Sequence, residues 1–350
     1  MIKTDIIIIG AGPTGLFAVF QAGLIKLKCH LIDSLAQPGG QCAEIYPKKP
    51  IYDIPSRPEI MAGDLVGQLM EQIQPFQPGF TLGETAQDIE KQADGGFVVT
   101  TDKGTQHQAP VIAIAGGLGT FEPRKPDLPN LLHWEDKGVD YIIKDPEKYR
   151  DKKVLIAGGG DSALDWTIVL ASLAEHVTLI HRRNEFRGAL DSVEKVQALK
   201  NKNKIQLITP AEVTALKGNN HLSSLTINHG ETTAEQPVDY FIPLFGLTPK
   251  LGSMAHWGLE IEKNAIIVNN SLDYQTNIPG IYAIGDINTY PGKLKLILCG
   301  FHEATLMCQS AFQRIHPDKR NVLKYTTVSG ISGFDGSRKE AQKSTIKTID

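Results

Sequence analysis

The stretch from Asp5 to Asp33 leaves few folds open to this chain. It reads as a strand, a glycine turn, a small-residue helix, a second strand and an acid. The run Ile6-Ile7-Ile8-Ile9 shows no alternation, as expected of a strand covered on both faces in a parallel sheet. Gly10, Gly12 and Gly15 then fit G-x-G-x-x-G: the first permits a tight turn, the second lets a pyrophosphate approach the backbone, and the third lets helix and strand pack closely. The helix that opens there presents free N–H groups and the positive end of its dipole to phosphates. Asp33 stands 18 residues after Gly15, at the end of the next apolar run, where a carboxylate accepts from ribose hydroxyls. The pattern predicts a dinucleotide site without choosing the dinucleotide.

The same pattern occurs a second time. Val154-Leu155-Ile156-Ala157 reads as a strand, Gly158, Gly160 and Ala163 fit G-x-G-x-x-A, and Val177-Thr178-Leu179-Ile180 is the strand that follows. Gly10, Gly12, Gly15 and Asp33 become Gly158, Gly160, Ala163 and His181, each displaced by 148. Repetition at one fixed offset predicts two nucleotide modules. At the ribose position the second module has His181, Arg182 and Arg183, with Arg187 close behind. An acid there suits a free 2′-hydroxyl; arginines suit a 2′-phosphate, which their planar forks hold bidentately. The second module is therefore expected to prefer NADP over NAD.

Between the modules, the Pro- and Gly-rich stretch 37–55 reads as a binding loop. Apolar residues at helical spacing predict a helix over about 58–74, and short strands are expected at 80–82, 86–92, 97–101 and 106–108. Two further buried strands, 111–115 and 238–245, end in glycine; Gly116-Gly117 and the region 246–250 are the expected hinges, and 121–151 and 249–278 read as crossings between domains. Ile281-Tyr282-Ala283-Ile284-Gly285-Asp286 gives a strand, a glycine and an acid, followed by a predicted helix over about 296–315. Paired with an N-terminal nucleotide module, that acid and helix N-terminus form a flavin signal.

A chain of 350 residues can form two ordinary domains, and its net charge of −3 gives no electrostatic reason to expect nucleic acid or an anionic membrane. No apolar run approaches the roughly 20 residues of a membrane span. Met1 leads almost directly into the first strand, so no signal peptide is expected. Cys29, Cys42, Cys299 and Cys308 form neither C-x-x-C nor a zinc spacing, which points to free thiols in a reducing cytoplasm and to no metal.

With these motifs in hand, the chain resembles the two-dinucleotide-domain flavoprotein reductases along nearly its whole length. The resemblance is carried by Gly10-Ala11-Gly12-Pro13-Thr14-Gly15, Gly39-Gly40-Gln41, Gly158-Gly159-Gly160-Asp161-Ser162-Ala163, His181-Arg182-Arg183 and Ile284-Gly285-Asp286. Thioredoxin reductase has this layout but carries C-x-x-C just before its second glycine motif, and 121–161 contains no cysteine here. The glutathione-reductase relatives carry two cysteines five apart after the first ribose acid; here Cys42 is followed at that distance by Pro47, so Cys42 is expected to be a packed thiol. The monooxygenase signature F-x-G-x-x-x-H is missing as well. A branch without a dithiol is similar at 41–49 and in a C-terminal extension from about 317: the thioredoxin-reductase-like ferredoxin–NADP⁺ reductases.

That resemblance implies an α/β fold of two Rossmann-like domains with three-layer parallel sheets, the NADP domain (117–248) inserted into the FAD domain (1–116 and 249–350). It implies FAD contacts at Gly10, Gly12, Thr14, Gly15, Asp33, Gln41, Ala86 through its backbone, Phe121 and Asp286. Tyr46 would stack on one flavin face. In a homodimer Tyr325 and Thr326 of the extension would reach the opposite face; by its Gly-, Ser- and Lys-rich composition, independently of the resemblance, the last dozen or so residues are expected to be mobile. NADP contacts fall on Gly158, Gly160, Asp161, Ser162, Ala163, His181, Arg182, Arg183 and Arg187. The implied activity passes a hydride from NADPH to the flavin and single electrons to a ferredoxin or flavodoxin, with no catalytic acid, base or nucleophile from the protein. Two other readings stay open: an NADPH oxidase or disulfide reductase acting on an external thiol partner, and a non-enzymatic flavin redox sensor.

Overall fold

The computed structural model describes residues 1–269, 272–320, 326, 330 and 331, the side chains at 120–122 and 249 excepted. The chain divides into two compact units, Met1–Thr120 with Leu251–Asp350, and Phe121–Lys250.

The first unit is built on strand β1 (Ile6–Ile9), whose four isoleucines are all buried. Helix α1 (Pro13–Leu24) and β2 (Cys29–Asp33) follow, then the short helix α2 (Gly40–Glu44), helix α3 (Ala62–Ile73), and strands β3 (Gly79–Leu82) and β4 (Val111–Ile114). With the late strand Ile281–Ala283 they form a five-stranded parallel sheet in the order Ile281–Ala283, β4, β1, β2, β3. The unbroken apolar runs seen in the sequence are thus the interior strands of a sheet covered on both faces. A mixed sheet also belongs to the unit: Ile2–Lys3 runs parallel to Gln106–Ala109, which pairs antiparallel with Phe97–Thr101, and that in turn with Ala86–Lys91. Helix α1 packs against α3 and the long helix Ile297–Ile315, where Cys308 Sγ donates to Ala18 O at 3.5 Å, while Gly15 lets it approach the Gly10 carbonyl and β1.

Two expectations shift at their edges. The helix predicted from 58 starts only at Ala62, because Ile60–Met61 pairs with Pro50–Ile51 as a small antiparallel ribbon. The stretch 37–55, expected to be irregular, contains α2.

A polar link crosses this unit. His30 on β2 hydrogen-bonds Thr81 Oγ1 through Nε2 at 2.8 Å, and Thr81 Oγ1 meets His107 Nε2 at 2.9 Å. His107 is fully buried and His30 is 9% exposed. Burial, then the neighbouring His107, pushes the His30 imidazole down to about 4, and burial also lowers His107. The native state therefore refuses protons that an unfolded histidine takes up near pH 6.5, so stability is full above that value and falls as pH drops toward 4. The melting temperature should fall between about pH 7 and pH 4.5, and His30→Gln should flatten the decline; an unchanged slope would mean that other groups set it.

The second unit repeats the first in miniature. Strand β5 (Lys153–Ala157), helix α4 (Asp161–Leu170), β6 (His176–Ile180), helix α5 (Leu190–Asn201), β7 (Gln206–Ile208) and β8 (Tyr240–Pro243) form a parallel sheet in the order β8, β5, β6, β7. That order matches β4, β1, β2, β3, so the sequence repeat is also a repeat of topology. An antiparallel sheet of Glu212–Gly218, Leu222–His229 and Thr232–Pro237 lies alongside, and Leu222, Leu225 and Ile227 join Leu155, Ile180 and Phe241 in one core. The unit's first and last strands, Thr120–Pro123 and Leu247–Lys250, pair with each other.

Candidate functional site

Each module turns at its first glycine in the same way. Gly10 N donates to Ile32 O at 2.8 Å, and Gly158 N donates to Ile180 O at 3.0 Å. Ala115 N donates to Ile9 O at 2.7 Å, and Leu244 N to Ala157 O at 2.8 Å. These bonds tie the glycine loop between its two neighbouring strands and aim the following helix N-terminus outward from the sheet edge.

In the first module Gly10 sits at φ +109°, a conformation that disfavours any side chain, and an added Cβ at Gly15 would overlap the Gly10 carbonyl oxygen. Gly12 caps α1 without any side-chain hydrogen bond, leaving the amides of the first turn open. A Cβ at Gly12 would meet only the Gly40 Cα at 3.9 Å, so the loop offers the bare backbone approach that a pyrophosphate requires. Gly40, at φ +54°, closes against Gly12 from the other side, and Gly39 N holds Ala11 O at 2.8 Å.

Asp33 does more than face a ribose. Its Oδ2 accepts from Ala11 N at 2.6 Å and its Oδ1 from Leu35 N at 2.9 Å. Burial raises its carboxyl above the usual range, while these two N–H groups pull it back. Each oxygen keeps a lone pair for a ligand hydroxyl.

The remaining first-module residues gather around the same loop. Thr14 Oγ1 lies against Gly285 and Gly300, joining the start of α1 to the turn after Ile281–Ala283 and to the start of the long helix. Gln41 reaches to within 3.3 Å of the Cβ position of Gly117. Tyr46 packs on the core, and its hydroxyl accepts from Cys42 Sγ at 3.8 Å. Burial drives the Tyr46 phenol upward and the Cys42 thiol up to about 11, with the Asp286 carboxylate adding to both. Asp286 is itself raised by burial, against Lys293 and Lys295. Ala86 is buried and its carbonyl accepts from Ser253 Oγ at 2.7 Å. Thr326 is exposed; the Phe121 side chain and Tyr325 lie outside the described residues.

In the second module the glycine cradle is wide open: a Cβ at Gly160 would meet nothing within 4 Å. Ala163 is fully buried where helix meets strand. Asp161 Oδ1 accepts from Ala189 N at 2.7 Å, and Gly159 O from Arg187 N at 2.7 Å, which folds the 181–189 loop back over the glycines. Ser162 is exposed on the first turn of α4. His181 is 7% exposed, stacks on Phe186 with ring centroids 5.4 Å apart, and occupies the space that a Cβ at Gly159 would need. Its Nε2 is buried without a partner, and burial together with Arg182, Arg187 and Arg183 holds the ring neutral. Arg182, Arg183 and Arg187 are exposed, and among the described residues none has a carboxylate partner.

The sequence did not single out one further cluster. Glu303, on the second turn of the long helix and 0% exposed, accepts from Gly285 N at 2.7 Å, Asn288 Nδ2 at 2.8 Å, Tyr290 Oη at 2.9 Å and Lys293 Nζ at 2.5 Å. One acid inside an apolar helical pattern was its only trace.

Among the described residues no cluster of His, Cys, Asp and Glu could hold a metal, and no helix is long and apolar enough to cross a membrane.

Comparison with known proteins places the chain in a family. Residues 4–304 match the family described as pyridine nucleotide-disulphide oxidoreductase. The chain is 71% identical over 349 residues to a ferredoxin–NADP reductase of Flavobacterium johnsoniae and 70% identical over 353 residues to ferredoxin–NADP reductase 1 of Christiangramia forsetii, in each case covering all of both chains. Among solved structures, Lactococcus lactis thioredoxin reductase in its FR conformation superposes with a TM-score of 0.76 at 25% identity, over 90% of this chain and all of the other. The chain belongs to the pyridine nucleotide-disulphide oxidoreductase family, among its ferredoxin–NADP reductases.

Proposed function

We propose that this chain is an FAD-carrying reductase that moves electrons between NADPH and a ferredoxin or flavodoxin. The observation that carries the reading is the doubled module with opposite charge at its two ribose positions: Asp33 in the first, His181 with three unpaired arginines in the second.

The open cradles at Gly12 and Gly160 fit a dinucleotide pyrophosphate, since a Cβ would fill the space where phosphate oxygens meet the backbone. On this reading the first unit holds FAD. Gly10, Gly12 and Gly15 shape the phosphate loop, Asp33 accepts from the adenosine ribose, Thr14, Gln41 and Asp286 orient the remaining polar atoms, and Ala86 borders the adenine through its backbone. Tyr46 supplies a ring to stack on the flavin, with Phe121, Tyr325 and Thr326 contributing further contacts. In the second unit Gly158, Gly160, Asp161, Ser162 and Ala163 shape the phosphate loop, His181 keeps Gly159 clear, and Arg182, Arg183 and Arg187 take the 2′-phosphate. FAD, when bound, supplies the conversion between a two-electron hydride and single electrons. The chain's own part is to bind, orient and exclude water, so no side chain has to accept or deliver a proton. The family resemblance also supports a cytoplasmic homodimer, which a light-scattering mass would test.

Anaerobic NADPH should bleach the bound flavin within seconds and NADH should do so far less well. Steady-state turnover with ferredoxin and cytochrome c should exceed the oxygen background; no such excess would sink the ferredoxin assignment. The thiols separate this reading from disulfide exchange. Cys42 is 2% exposed with its thiol pushed up to about 11, a poor nucleophile at neutral pH. Cys42→Ser should therefore keep ferredoxin turnover within about threefold, whereas loss beyond tenfold with flavin retained would reinstate a thiol step.

A further inference from the structure

The ion pair Lys293–Glu303 is nearly sealed from water, with side chains 6% and 1% exposed. Burying two charges costs several kcal/mol per ion, and apolar residues of similar volume would pin the same elements at least as well, so such a pair is weak evidence of a stabilising role. Its position is more informative. All four donors to Glu303 come from the segment 285–293, which begins with the Gly285–Asp286 turn. Gly285, at φ +76°, also rests on Thr14 Oγ1 at the start of α1, and so does Gly300, one turn before Glu303. The pair thus closes a ring of contacts joining the Thr14 side chain on the first turn of α1, the Gly285–Asp286 turn and the N-terminal turns of the long helix, and both of its charges act on the Asp286 carboxyl. A balanced pair contributes no net charge to that ring. Removing either partner leaves one unit charge in a medium where it is screened weakly.

We propose that Lys293 and Glu303 are positioning residues of the flavin site: Glu303 fixes the Gly285–Asp286 turn through the Gly285 amide, and the balanced pair sets the reduction potential of the bound flavin. This rests on the assignment of FAD to the first unit. Reduction adds negative charge at the flavin, so Glu303→Gln, which leaves the lysine unbalanced, should make the flavin easier to reduce. Lys293→Gln, which leaves the carboxylate unbalanced, should make it harder. The double variant E303Q/K293Q restores neutrality and should return close to wild type. A tenfold change in the equilibrium with NADPH in each direction corresponds to 29.6 mV for a two-electron couple.

The experiment is an anaerobic potentiometric titration of wild type, both single variants and the double variant, alongside melting temperature and flavin content. Shifts of opposite sign that cancel in the double variant support the proposal. Shifts of the same sign, or none beyond twofold in equilibrium constant, overturn it and leave the pair a packing device whose loss shows only in the melts. If one single variant does not fold, the other single variant and the double still differ by one charge, and the direction of that difference decides. A wild-type chain that purifies colourless and takes up no added FAD would overturn the assignment of FAD rather than the role of the pair.

Discussion

Gly15→Ala is expected to leave little folded protein, while Gly160→Ala should fold normally and lose NADPH. Gly15 is the third position of its motif and Gly160 the second position of the other, and the structure gives them different neighbours. At Gly15 an added methyl would overlap the Gly10 carbonyl oxygen, with the Ile8 side chain 3.3 Å away. Neither can yield easily, because Gly10 is tied to Ile32 and Ile8 lies at the centre of the parallel sheet. Overpacking of that kind costs about 3 kcal/mol or more, and FAD would be lost with the loop. At Gly160 the backbone is extended, at φ −104° and ψ 179°, which alanine adopts without strain, and no protein atom lies within 4 Å of the new methyl. Alanine in place of glycine at a helix N-cap costs up to about 1 kcal/mol, a small part of the stability of a chain this size. The methyl would stand where a pyrophosphate needs the bare backbone, so KM for NADPH should rise tenfold or more with the melting temperature nearly unchanged. Equal melting losses in both variants, or an unchanged KM in Gly160→Ala, would contradict the open-cradle reading.

What the sequence made legible follows from local rules. The isoleucine run, the glycine spacing and the fixed offset of 148 reported a parallel strand, a phosphate turn and a duplicated unit, because each is written in consecutive residues. The helix Ala62–Ile73 was visible because Ala62, Leu65, Val66, Leu69 and Ile73 form one buried stripe. Helix Leu190–Asn201 was not, since Val196 is its only buried residue and no stripe exists to be read. The inner workings of the site were less legible for a different reason. That Asp33 ties down Ala11, and that the His181 ring takes the place of a Cβ at Gly159, are contacts across a turn. In retrospect Ala11 and Gly159 are themselves related by the offset of 148, so the change from alanine to glycine accompanies the change from acid to histidine. The Glu303 network joins residues that only the folded turn brings together, and no local rule reports a buried ion pair.

The charge change at the ribose position makes the sharpest test of cofactor choice. Arg182 and Arg183 are exposed and carry no ion pair among the described residues, so alanine at both removes no contact that holds the fold. The loop they stand on is held by backbone and buried groups: Arg187 N on Gly159 O, Ala189 N on Asp161, and His181 against Phe186. Each charge-assisted bond to a phosphate contributes about 1.5–3 kcal/mol, reduced here by exposure to water. Arg182→Ala with Arg183→Ala should therefore raise KM for NADPH about a hundredfold, near 3 kcal/mol, with kcat little changed. NADH lacks the 2′-phosphate, so its KM should stay within about twofold, and the variant should discriminate weakly between the two nucleotides. Salt gives an independent check: KM for NADPH in the wild type should climb with ionic strength, as exposed charge pairs are screened, and that slope should flatten in the double variant. Equal losses for NADPH and NADH would place the arginines on the pyrophosphate common to both and remove the basis for NADP selectivity in this module.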